Sequence, residues 1–139
     1  MNITLNNNRN RLIIKSELMP ALMGIEIDYK KTINNLGIIL LTDQKLREIN
    51  IKYLKSDYYT DIISFNYSEN PSEIDGELYI SRDRIVDNAK KYNITLKEEM
   101  YRVVIHGVLH LAGEEDKEKD QKKRKQSKEN QYLKLICFT

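Results

Sequence analysis

An α+β fold is predicted: a single domain, about four strands in a mixed sheet with helices packed on it. Three observations predict it. Residues 36–41, LGIILL, are a short, branched apolar run bounded by Asn-Asn and Thr-Asp, the pattern of a buried strand. Residues 61–67, DIISFNY, have the highest β-propensity in the chain, and residues 77–80, ELYI, form another strand candidate. Several of the remaining segments space their apolar residues at a helical period.

The elements follow in order. Ile3, Thr4 and Leu5 alternate apolar and polar, as a short strand does, before the turn-prone Asn6-Asn7-Asn8. Leu12, Ile13, Leu18 and Leu22 make an amphipathic stripe predicting a helix over residues 11–23, which Pro20 should bend or end. Residues 25–35 fit either a second helical piece or an irregular link. Thr42 is placed to cap a helix with Leu46, Ile49 and Tyr53 on its apolar face. The polar loop 68–75 ends at Gly76, so the strands beside it can pair as a long-looped hairpin. Residues 82–92 read as a helix with Ile85, Val86 and Ala89 inward. Thr95 and Glu98 are spaced as a capping box opening the next helix. The run after Asp116 reads as a terminal helix, exposed early and anchored by Tyr132, Leu133 and Ile136.

With 139 residues and no boundary signal, the chain is expected to be one domain over residues 1–139. Its 40% hydrophobic and 32% charged residues are those of an ordinary globular protein. A net charge of +2 does not announce a nucleic-acid binder. The lone Cys137 excludes an internal disulfide and is expected as a small apolar residue of the last turn. No apolar run is long enough to span a membrane and no signal pattern opens the chain, so a cytoplasmic protein is expected.

The chemistry concentrates in residues 101–116, YRVVIHGVLHLAGEED. His106 and His110, the only two histidines, stand four apart, on one face of a helix and one turn from each other. The surrounding residues are apolar, so this helix is expected to be buried. Imidazoles carried into a core need partners, and a metal ion supplies one. Gly113 breaks the helix and Asp116 follows three residues later, the frame of metzincin-type patterns in which a glycine turn returns a third ligand. A site of His106, His110 and Asp116 leaves a fourth position for water, the arrangement of a catalytic zinc, one per chain. The residue after His106 is Gly107 and not the glutamate a metalloprotease uses as its base, which argues against peptide hydrolysis.

The run His106–Gly113, HGVLHLAG, with an acid three residues on, resembles the signature of the YbeY family, metal-dependent endoribonucleases. Asn50, Tyr53 and the run Thr60-Asp61-Ile62-Ile63-Ser64-Phe65 resemble its second motif, and Gly76-Glu77-Leu78 a third. The resemblance covers roughly residues 36–116. It implies a single-strand-specific endoribonuclease acting in ribosomal RNA maturation and ribosome quality control. It also implies partners in ribosomal RNA or its precursor, and in ribosomal proteins or the small subunit, with no membrane. Two departures stand out. The family's third ligand is often histidine and here is Asp116, with Glu114 and Glu115 as rival carboxylates; spacing favours Asp116. The arginine many members carry after the tyrosine is Leu54 here, leaving Lys55 or Arg82 as candidate substitutes.

No general base is identified; Asp61, Asp75, Glu77, Glu114 and Glu115 are candidates. Lys117, Lys119, Lys122, Lys123, Arg124, Lys125 and Lys128 follow the motif, either as a phosphate-binding cluster or as a solvated face interrupted by Glu118, Asp120 and Glu129. Tyr53, Tyr58, Tyr59 and Tyr67 could stack on bases or belong to the sheet. The competing functional class is a non-catalytic ribosome-assembly factor with a structural metal and an RNA-binding surface.

Overall fold

The computed structural model describes residues 1–54 and 60–137. The chain runs β1 (Asn2–Asn6), α1 (Lys15–Tyr29), β2 (Thr32–Leu41), α2 (Asp43–Leu54), β3 (Ile62–Asn66), β4 (Glu73–Ser81), α3 (Arg82–Tyr92), α4 (Leu96–Leu111) and α5 (Lys119–Leu133). One mixed sheet has the order β1-β2-β4-β3. Its first three strands are parallel, with Ile3 opposite Leu36 and Leu36 opposite Gly76; β3 closes the edge antiparallel to β4, with Phe65 opposite Glu77. The expected α+β architecture and the β3–β4 hairpin are both present, but β4 starts at Glu73 and not at Glu77, because Glu73 to Asp75 pair with β2, so the loop is shorter than the expected 68–75.

Several local expectations change. Tyr53, expected on the inward face of α2, is exposed, and Asn50 is buried with Leu46 in its stead. The first helix begins later than its apolar stripe, because Leu12 and Ile13 are buried in the lead-in before Lys15. It then runs through Pro20 to Tyr29, burying Leu18, Ala21, Leu22 and Ile25. Proline removes one bond to the carbonyl of Ser16, a residue exposed to solvent, and burial of four side chains outweighs that loss. The ambiguous stretch 25–35 divides into the end of α1, a left-handed Lys30 and the first residues of β2. Cys137 is exposed and is not a packed residue of the last turn. The caps are where the sequence puts them: Thr42 Oγ1 accepts from the Lys45 amide (3.2 Å) and Thr95 Oγ1 from the Glu98 amide (3.1 Å).

The histidine helix α4 is the centre of the molecule. It packs on β3 and β4, and α1, α3 and α5 pack against it. Met100, Val104, Ile105, Val108 and Leu109 are fully buried, joined to Leu36, Ile38, Leu78 and Ile80 of the sheet in one core. Gly107 marks the closest approach: a Cβ there would sit 2.7 Å from Ile62 Cδ1 and from Leu78 Cδ2. The residue after the first histidine is therefore glycine because the sheet leaves no space for a side chain.

Candidate metal centre

Helix α4 ends in a Schellman turn. The Gly113 amide donates to the His110 carbonyl (3.1 Å), and the Glu114 amide donates to the Leu109 carbonyl (3.0 Å), with Gly113 at φ 107°. That conformation excludes most side chains and turns the chain back over the helix. Asp116 lands beside the first histidine, its Oδ2 3.5 Å from His106 Nε2. Two ligands each about 2.0–2.1 Å from a tetrahedral zinc are roughly 3.4 Å apart, so this pair has the spacing of one edge of such a site.

The other nitrogen of His106 fixes the ring. Its Nδ1 lies 2.7 Å from Glu129 Oε2, and a carboxylate can only accept, so Nδ1 carries the proton. The Nε2 lone pair is thereby turned toward Asp116. This is the carboxylate–histidine pairing that orients and strengthens imidazole ligands. Glu129 is buried, reaching His106 from α5.

His110 lines the same cavity, of about 560 Å³, with His106, Asp116, Asp61 and Ser64. His106 is only half-buried and His110 is exposed at the cavity wall, so the imidazoles stand at the rim of the core and not inside it. Partial desolvation of the His110 ring, and then the positive charge of Lys125, lower its pKa below the ordinary imidazole value. Among the described residues, no three His, Cys, Asp or Glu side chains are gathered closely enough to hold an ion. What the structure brings together is the His106–Asp116 pair, with His110 on the shared wall. Beside the pair sits a cation of the chain itself: Lys125 Nζ is 3.4 Å from His106 Nε2 and 3.9 Å from Asp116 Oδ2. The donors thus suit a cation in chemistry, with one pair of them at ligand spacing, and an ammonium already stands beside that pair.

The sequence offers Lys125 either to a phosphate-binding cluster or to a solvated face interrupted by Glu129; the structure instead buries both against His106. The signal was present. Counting back from the anchors Leu133 and Tyr132 in steps of three and four lands on Glu129 and Lys125, one face of α5.

Other candidates are sorted by their surroundings. Glu114 accepts from the Tyr29 hydroxyl (2.8 Å) and pairs with Arg124 (3.2 Å), which removes it as a rival ligand. Glu77 accepts from the hydroxyls of Tyr67 (2.7 Å) and Tyr79 (3.2 Å), and Asp75 lines a separate hollow with it. The bond to Glu77, followed by burial, pushes the Tyr67 hydroxyl up to about 12. Of the proposed bases, Asp61 lines the His106 cavity. Arg82 reaches toward the Arg9 carbonyl (3.4 Å), lines a different hollow and does not replace the missing arginine; Lys55, Tyr58 and Tyr59 lie outside the described residues. Leu54 lines the cavity as an apolar residue. Tyr53 and Tyr67 are exposed, one edge-on to Phe65 and the other stacked on it, on the sheet face opposite to Ser64 and the histidine cavity, since successive side chains of β3 alternate faces.

Comparison with known proteins identifies the family and the fold. The profile of the family described as Endoribonuclease YbeY matches residues 2–136. An Endoribonuclease YbeY of Bacteroides fragilis is 36% identical over 121 residues, 87% of this chain and 86% of that protein. One of Cytophaga hutchinsonii is 40% identical over 124 residues, 89% and 87% of the two chains. The solution structure of a Thermotoga maritima protein superposes with a TM-score of 0.68 at 26% identity, covering 96% of this chain and 87% of that one. A matched profile over nearly the whole chain, on a fold that sets His106 against Asp116, places this protein in the endoribonuclease YbeY family.

Proposed function

We propose that this protein is a zinc-dependent endoribonuclease that cleaves single-stranded RNA, with ribosomal RNA or its precursor as substrate and the ribosomal small subunit as partner. His106, His110 and Asp116 are the proposed ligands. The observation that carries the reading is the His106 ring, protonated at Nδ1 by its contact with Glu129 and presenting Nε2 to Asp116 at 3.5 Å. A bound divalent ion would supply positive charge to polarise a phosphodiester and acidify water.

The chain's own residues do the rest. Glu129 holds the Nδ1 proton and keeps His106 from turning. Asp61, on the cavity wall, is the proposed general base, taking a proton at its carboxylate from the water that attacks phosphorus, while the P–O bond to the leaving sugar oxygen breaks and that oxygen takes a proton from solvent. The lowered pKa of His110 keeps its ring free of a competing proton near neutral pH. Tyr53 and Tyr67, exposed around Phe65 on the far side of the edge strand β3 from the cavity, offer flat faces on which unpaired bases of a strand crossing that edge can stack.

The test is cleavage of a structured RNA with single-stranded loops by wild type, His110→Ala and Asp61→Asn, with circular dichroism to check folding. Wild type cleaves in the loops and stops when a chelator is added. His110→Ala is inactive while folded, and Asp61→Asn loses about 10²–10⁴ in rate. RNA bound but left intact by metal-loaded wild type would favour the assembly factor and end the nuclease reading.

A further inference from the structure

Helix α5 approaches His106 with two side chains four residues apart. Glu129 takes Nδ1, and Lys125 takes Nε2 at 3.4 Å, the nitrogen a metal ion needs. Lys125 is not a surface lysine folded over by chance: its side chain is 2% exposed. A buried ammonium needs compensating charge and hydrogen bonds. Its nearest carboxylate contact among the described residues is Asp116, at 3.9 Å, longer than a good charge-assisted bond. What holds it is the field of Asp116, Glu129 and Glu114 together with the His106 lone pair. Those same features attract a divalent ion. The pocket is therefore built for positive charge, and its occupant is loosely bonded and tethered on a long flexible stem.

We infer that Lys125 is a built-in competitor for the metal: its ammonium fills the charge position beside His106 and Asp116 in the metal-free protein and is displaced when the ion enters. This rests on the proposed ligand set. Two consequences follow. Part of the binding free energy is spent moving the ammonium, so the site holds its ion more weakly than the same donors would without Lys125. The displaced amine also changes surroundings on loading, which a chemical label can read without any assay of cleavage.

The experiment is calorimetric titration of Zn2+ into metal-free, full-length protein: wild type, Lys125→Met and Lys125→Gln, with His106→Ala added to each as a control. Lys125→Met keeps much of the stem's volume and removes the charge. It is expected to bind zinc on the order of tenfold tighter or more than wild type, with binding lost whenever His106 is removed. In parallel, acetylation of wild-type lysines is followed by mass spectrometry with and without saturating zinc. Lys125 is expected to be protected in the metal-free protein and labelled faster with zinc, and this readout stands even if neither variant folds. Equal or weaker zinc binding by the folded variants, with His106→Ala still abolishing it, would overturn the role of Lys125 and leave the metal site intact. Unchanged protection of Lys125 on zinc addition would overturn displacement. Absence of zinc binding in wild type and all variants would remove the metal reading and this inference with it.

Discussion

His106 has a partner at each nitrogen, and its role follows from which partner can donate. Glu129 cannot, so it fixes the proton on Nδ1. Glu129→Gln keeps the shape but weakens that contact and removes a negative charge from the pocket. Zinc affinity is expected to fall by about 10–100-fold, measured by competition with a chromogenic chelator. An unchanged affinity would mean that the ring is held by its packing alone. A second buried carboxylate tests the electrostatics independently of any metal. Glu99 is 3% exposed and its Oε1 has no hydrogen-bond partner among the described residues, with the Arg102 Nε 4.0 Å away. Desolvation raises its pKa above the ordinary carboxylate value. The folded state therefore binds this proton more tightly than the unfolded one, and stability falls as pH rises from the ordinary carboxylate range through the raised value. Urea unfolding at stepped pH should show wild type losing stability relative to Glu99→Gln over that interval. A flat difference, or one of opposite slope, would contradict the buried-charge account.

At the scale of elements, α4 and α5 divide the work. Helix α4 presents the histidines and lies directly on the sheet, with Gly107 at the point of contact. Gly107→Ala puts a methyl group into Ile62 and Leu78 and should cost about 1–3 kcal/mol in chemical denaturation, despite alanine's better helix propensity. A neutral or stabilising result would mean that the helix rides higher on the sheet. Helix α5 supplies the groups that act on His106, and it is secured to α1 where the Tyr132 hydroxyl donates to Asp28 Oδ2 at 2.5 Å. Tyr132 is 1% exposed. Tyr132→Phe should cost about 1–3 kcal/mol through the lost bond to a charged acceptor. It should also weaken zinc binding if α5 positions Glu129. Lost stability with unchanged zinc affinity would uncouple the two.

At the scale of the molecule, the strands of the sheet rest on patterns visible along the chain, whereas their order β1-β2-β4-β3 and part of the site rest on contacts that are not. Strand β2 was legible in LGIILL and α4 in its caps and apolar run, because local periodicity and capping chemistry decide those elements. The return of Asp116 was legible in Gly113, since positive φ after a helix is a local property. Pro20 misled because tertiary burial outweighed one missing backbone bond. Lys125 and Glu129 misled because their neighbours are charged, and only the packing of α5 on α4 decides which face of such a helix is buried. Among the described residues the cation beside His106 comes from α5, at Lys125, while Leu54 stands where the family's arginine would and Lys55 lies outside the described residues.

The most direct measurement of the central claim is X-ray absorption at the zinc edge on protein loaded with one equivalent of zinc, for wild type and His110→Ala. Two imidazoles with oxygen ligands in wild type, reduced to one imidazole in the variant, is the predicted result. A shell without imidazole, or one unaltered by the substitution, would contradict the site.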